Sequence, residues 1–419
     1  MLLLKNSTYI HPRELAMKSC DILVETGKEL QFFDPGKGPV TANTLDCKGM
    51  LVTKSFACGH HHVYSALSRG MGAPKKSPAN FVEILQYIWW TLDKCLDKDM
   101  IEASALVTAM ACARNGVTFV IDHHASPYAV EGSLETIAKA FDKVGVSHLL
   151  CYEISDRDGL DIAEKGLLET ADYLSKRQGL VGLHAGFTVG DETLKQAVEL
   201  ARLTKSGIHV HTAEDLSDEE YSLHHFGKRV VERFSDHGVL EFPATILAHC
   251  LHLDNHERAL VKASPAWVVH NTESNQNNGV GVFTSRGLGE RLMLGTDGMH
   301  SDMLRAAKAA LYGAPKSDGL DFGGLYNRFR NVHQYIASNH FTGDGPDNLV
   351  VLDYPSPTPV TPDNFLGHFI FGIDSSHVRH VISGGELIVK DRIITKVNEA
   401  EILQQSQLLA GELWKKMAG

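Results

Sequence analysis

His60, His62, His211 and Asp297 are three imidazoles and a carboxylate, and each closes a short apolar run. Three such nitrogens and one oxygen can hold one divalent cation, Zn²⁺ first and Fe²⁺ or Mn²⁺ after it, with room left for a water. The same placement recurs along the chain, in Ser55–His62, Val117–His124, His148–Glu153, Leu180–His184, Ile208–Glu214, Thr245–His249, Trp267–Asn271 and Leu292–Asp297. Eight apolar runs ending in ionisable or amide side chains suit a parallel barrel, whose C-terminal strand ends gather at one mouth. One histidine among 23 is an ordinary core or surface residue. The weight lies in the combination: H-x-H on strand one, H-x-x-E on strand five and T-D-G on strand eight.

Alternate side chains share a face of a strand, so His60 and His62 can both point inward while His61 packs or supports. His209 competes with His211 for one ligand place, and the reading favours His211. Glu214, three residues on, is placed to shuttle protons without being a ligand. The plainer reading is a solvated helix-start residue, because AEDLSDEE is acidic throughout. His249 is expected to face a developing oxyanion and His184 to touch substrate. His123, His124, His270 and Asn271 suit support as readily as chemistry.

The elements between these runs fit the expected (β/α)8 TIM barrel. Asp99–Arg114 is Ala-rich and stops at Asn115-Gly116, the usual helix-stop chemistry. Further crossover helices are expected near 131–145, 160–177, 191–206, 217–238 and 254–264. The longest insertion, Val63 to Asp99, follows strand one, where mouth loops shape specificity. Tyr64 and Arg69 in it are expected to bind substrate, while Trp89 and Trp90 are expected to pack helices. Residues 1–52 and 348–400 read as short strands, too few in either half to bury a sheet face alone, so they should pair into one β-module. Residues 53–347 form the barrel, 401–419 a C-terminal helix, and the proline-rich Tyr354–Asn364 a rigid connector.

Net charge −11 argues against nucleic acid or an anionic membrane as main partner. Seven scattered cysteines without C-x-x-C suggest reduced thiols and a cytoplasmic setting. The start MLLLKNST is too short an apolar run for a signal peptide, and no stretch of about 18 apolar residues occurs. H-E-x-x-H, G-x-S-x-G and P-loop motifs are missing, as is the H-x-E with P-C-x-x-C pattern of nucleic-acid deaminases.

Several stretches together resemble the amidohydrolase superfamily. They are HHHVYSALSRG, Trp89–Asp97, DHHASP at Asp122–Pro127, CYEISDRDG at Cys151–Gly159, HVHTAE, AHC, VVHNTESN and GTDG. The branch is that of cytosine deaminase-like proteins, triazine hydrolases and guanine deaminases, and within it the SsnA-type aminohydrolases. The resemblance spans nearly the whole chain. It implies a mononuclear metal site at His60, His62, His211 and Asp297, with Glu214 and His249 catalytic and His184 in the pocket. It also implies a β-sandwich built from both termini and a homodimer. Val52-Thr53-Lys54-Ser55-Phe56 and Thr272 depart from the Pro-Gly and H-N-P-x-S-N patterns common in the family. Both departures concern backbone shape rather than ligands.

The expected activity is hydrolytic deamination of a small amino-substituted purine- or pyrimidine-like ring by a metal-activated water. Asp297 takes the first proton, Glu214 carries protons to the ring and to the leaving ammonia, and His249 steadies the oxygen. The alternative is hydrolysis of a cyclic amide or a C–Cl bond at the same place. A scaffold without catalysis would be expected to have lost ligands, and none of the proposed ones is missing.

Overall fold

A computed structural model describes all 419 residues. Eight parallel strands follow one another in order: Phe56–His61, Val117–His124, Ser147–Ile154, Val181–Ala185, Ile208–Thr212, Ile246–His249, Trp267–His270 and Leu292–Leu294. The ring closes between the last and the first. His61 and Asp297 form a parallel bridge, and the Thr296 and Asp297 amides donate to the His60 carbonyl at 3.0 and 3.1 Å. Closure needs Gly59, where a Cβ would stand 2.8 Å from the Leu294 carbonyl oxygen.

Alternation along the strands separates two cores. Ala57, Phe119, Ile121, Leu149, Cys151, Ile246, Ala248, Trp267, Val269 and Met293 belong to a 15-residue cluster inside the barrel. Their neighbours Phe56, Cys58, Val120, Leu150, Tyr152, Leu247, Val268, Leu292 and Leu294 belong to the 83-residue cluster against the helices. Tyr335, from the helix Phe322–Ser338, joins the inner cluster and donates its hydroxyl to the Ala244 carbonyl at 2.8 Å. Burial at about 25 cal/mol per Å² of apolar surface drives both cores.

Crossover helices occupy 133–144, 160–174, 191–204 and 255–263. Where one helix is expected over 217–238 there are two, Leu216–Phe226 and Val230–Asp236, parted at Gly227 with φ +69°. Helices Met303–Gly313 and Phe322–Ser338 fill the stretch before 347, and Phe365–Phe371 follows the proline-rich connector.

The strands of the two termini hydrogen-bond into one nine-stranded sheet. Its join is Leu51–Lys54 lying antiparallel to Leu349–Leu352. One ten-residue cluster, including Leu4, Ile22, Val52 and Val351, is its own core. The C-terminal helix Glu399–Ala418 crosses back to the first insertion, where the Trp414 indole N–H donates to the Leu67 carbonyl at 2.8 Å.

Candidate metal centre and active site

Inward parity carries through to the strand ends. Cys151 leads to Glu153, Gly182 to His184, His209 to His211, and Met293 through Gly295 to Asp297. Strand one would put Gly59 and His61 inward after Ala57, but a register irregularity between Cys58 and His61 re-phases it. His60 and His62 thereby face the centre, while His61 turns away, its Nε2 3.0 Å from the Ser301 hydroxyl.

Each imidazole is locked through its other nitrogen, the support that fixes tautomer and aim in metal sites. His62 Nδ1–H donates to the His123 carbonyl at 2.7 Å, and His211 Nδ1–H to the His184 carbonyl at 2.6 Å. His60 Nδ1 meets His209 Nε2 at 2.9 Å, and His209 Nδ1 is 3.7 Å from the Cys151 sulfur. His209 thus orients His60 from one layer deeper instead of sharing the centre with it. His62 Nε2 lies 3.1 Å from His211 Nε2 and 3.1 Å from Asp297 Oδ1, with His60 Nε2 3.5 Å from that oxygen. His60 Nε2 is fully buried and has no hydrogen-bond partner. Burial drives the His60 pKa down to about 3 and His211 well below its usual range, so both are neutral as ligation requires. Burial opposes a charge on His62 as well, yet the Asp297 carboxylate outweighs it and lifts His62 to about 9. Asp297 draws a proton to the spot where a cation would sit. Converging bare nitrogens, an orphaned buried donor atom and an anionic oxygen fit one divalent ion.

On the adjoining side stand Glu214 and His249. His249 Nδ1–H donates to Asn275 Oδ1 at 2.7 Å, leaving Nε2 3.4 Å from Glu214 Oε2 and 3.9 Å from Asp297 Oδ2. Burial raises the Glu214 carboxyl to about 7 although His249 pulls it down. Ala213, His249, Cys250 and Asp297 all have positive φ, +46°, +72°, +53° and +53°. Non-glycine residues there cost about 1–3 kcal/mol each, a strain that clusters at functional sites. The left-handed turn at His249 is what breaks strand parity and swings its ring toward Glu214.

The cavity above is lined by His62, Tyr64, His184, His211, Glu214 and Asp297 among others. His184 Nδ1 is 2.6 Å from the Thr188 hydroxyl, which itself donates to the Ala185 carbonyl at 3.3 Å, so His184 turns a bare Nε2 to the cavity. Burial keeps this imidazole neutral, its pKa down at about 3. Arg69 is exposed, at the end of the short helix Val63–Ser68, and does not line the cavity. His270 faces outward, stacked on Phe283 at 4.2 Å. His124 Nε2 lies 2.9 Å from the Ser126 hydroxyl, outside the cavity.

Trp89, Trp90, Glu153 and Arg157 line the cavity without having been assigned to it from the sequence. Trp89 and Trp90 pack against the main core, as expected, and both also line the cavity, on either side of the end of a π-helical turn, Leu85–Trp89. Such turns recur at functional sites. Glu153 follows from parity alone and could have been read, since Cys151 and Glu153 share a face. Arg157 could not, because it lies past the strand end in a loop.

The Amidohydrolase family pattern matches residues 51–322. The 5'-deoxyadenosine deaminase of Methanopyrus kandleri is 29% identical over 77% of this chain and 78% of its own. A 5-methylthioadenosine/S-adenosylhomocysteine deaminase of Halobacterium salinarum is 26% identical over 96% of each. Among solved structures, a zinc-bound adenosine deaminase from Xanthomonas campestris superposes with TM-score 0.80, at 16% identity over 99% of both chains. A zinc complex of atrazine chlorohydrolase from Arthrobacter aurescens gives 0.83, at 15% identity over 98% of this chain and 100% of that one. These two likenesses bear on the fold.

Proposed function

The chain belongs to the amidohydrolase family, and on that premise we propose that it deaminates a small amino-substituted purine- or pyrimidine-like ring by hydrolysis. The reading rests above all on Glu214, a mostly buried carboxylate outside the ligand set, which faces His249 Nε2 at 3.4 Å and lines the cavity. The names of both curated relatives point the same way.

His60, His62, His211 and Asp297 would hold one divalent ion, Zn²⁺ by its preference for such donors. Bound there, the ion would supply Lewis acidity and would make water a competent nucleophile near neutral pH. Asp297 Oδ2 is the oxygen turned toward His249, and it accepts the first proton. Glu214 gives its proton to the ring nitrogen beside the carbon under attack, takes the proton of the new hydroxyl and gives it to the departing amine, and is reloaded with the proton Asp297 holds, so that ammonia and a ring carbonyl result. His249 steadies the developing oxygen through Nε2–H, a role that requires both ring nitrogens to carry protons, Nδ1–H being held by Asn275 and Nε2 facing the Glu214 and Asp297 carboxylates. His184 Nε2, as a bare acceptor, suits an N–H on the ring. Tyr64, buried edge-on to His62 at 5.4 Å, bounds the space on that side.

The test is a panel of purines, pyrimidines, pterins and hydantoin-like rings, scored for ammonia, chloride or ring-opened acid, with metal content measured on the same sample. Ammonia from an amino-substituted ring is expected. A ring-opened acid or chloride as sole product would replace deamination with the alternative hydrolysis.

A further inference from the structure

Resting on that reading, we infer that the substrate bears no phosphate: the ring enters as a free base or a nucleoside-like derivative, and its phosphorylated forms are rejected. Besides the histidines, the ionisable acidic and basic side chains lining the cavity are Glu153, Arg157, Glu214 and Asp297. Arg157 is therefore the one fixed cation there, and every nitrogen of its guanidinium already faces a carboxylate. Nη2 binds Asp93 Oδ2, Nε lies 3.0 Å from Asp158 Oδ2, and Nη1 lies 3.5 Å from Glu153 Oε1. Its plane sits over the Trp90 ring, 5.0 Å from the centroid, and only 8% of the side chain is exposed. The nearby Lys94 is held by Asp158 at 2.7 Å. Arg157 is thus part of the wall, with Nε and Nη2 hydrogen-bonded to Asp158 and Asp93 and Nη1 facing Glu153, so an incoming anion would compete with three carboxylates for it.

Around this wall Glu153, Asp158 and Asp297, with Asp93 and Glu214 raised by burial to about 7, stand against Arg157 and Lys94, and neither of these two cations is left unpaired. A phosphate entering here would lose water beside Glu153 and Glu214 without gaining an unpaired side-chain cation. Like charges brought together in a dry site weigh heavily against the wrong ligand. The remaining polar lining, including Tyr64, Ser65, Ser274, Asn277 and Asn278, is uncharged and suits ring edges and hydroxyls.

The experiment compares aminopurines and aminopyrimidines as free base, nucleoside and 5'-monophosphate, using the full-length metal-loaded enzyme. For whichever ring releases ammonia, the monophosphate should be poorer in kcat/KM by about 100-fold or more. A monophosphate within a few-fold of its nucleoside overturns the inference while leaving the deaminase reading intact. No ammonia from any ring defeats the deaminase reading. The charge inference is then decided by thermal shift with the same pairs: a shift from the neutral member alone supports it, and a shift from the monophosphate, or none from either, overturns it. Asp93→Asn and, should that buried change fail to fold, Asp158→Asn each release part of Arg157. Either should narrow the gap by about tenfold, and an unchanged gap in both removes the electrostatic cause.

Discussion

Both halves of the barrel mouth bury carboxylates, and they differ in the groups that partner them. On one side, strands one, five, six and eight bring His60, His62, His211, Glu214, His249 and Asp297 together with several nitrogens bare toward a common point. On the other, Asp93, Glu153 and Asp158 are taken up by one guanidinium. The first arrangement leaves lone pairs for a cation and a carboxyl for proton traffic. The second leaves almost nothing free. Burial is similar in both, so partner identity, and not depth, separates chemistry from scaffolding.

Substitutions should break this contrast in graded ways. Asp297→Asn removes the only anionic member of the proposed ligand set, and turnover should fall at least about a thousandfold with loss of bound metal, read by elemental analysis. Full activity in that variant would end the assignment. Glu214→Gln should retain metal and lose about 10²–10⁴ in kcat. Metal loss there would move Glu214 into the ligand set. Arg157→Met strikes the saturated half, leaving buried carboxylates unpaired, and should cost about 3–5 kcal/mol of stability in a denaturant titration while metal content holds. A variant as stable as the parent would deny the network its structural part. Asn275→Leu releases the His249 ring, and kcat/KM should drop about 10–100-fold with the melting temperature little changed. An unaltered kcat/KM would show that His249 needs no such support.

The reactive half was the more legible in the sequence, because its groups close apolar runs and parity assigns their direction. Barrel class and strand order follow from the same runs, and all eight strands lie within or overlap them. Two backbone irregularities were not legible. The re-phasing after Cys58 decides that His60 and His62 face inward, and the left-handed turn at His249 decides where that ring points. Both depend on closure against the neighbouring strand, a contact between residues more than 200 apart in the case of His60 and Asp297. The saturated half was hidden for another reason. Asp93 and Arg157 stand 64 positions apart on a loop and an inserted helix, and neither follows strand or helix periodicity. Arg69, expected at the pocket because it lies in the insertion, ends up exposed because the short helix before it stops at Ser68.

The most direct test of the central claim is anomalous X-ray scattering at the zinc edge from crystals of protein purified without chelator. One strong peak bounded by His60, His62, His211 and Asp297 is the predicted result. No peak, or a peak seated instead among Glu153, His184 and His211, which also lie close enough to share an ion, would contradict it.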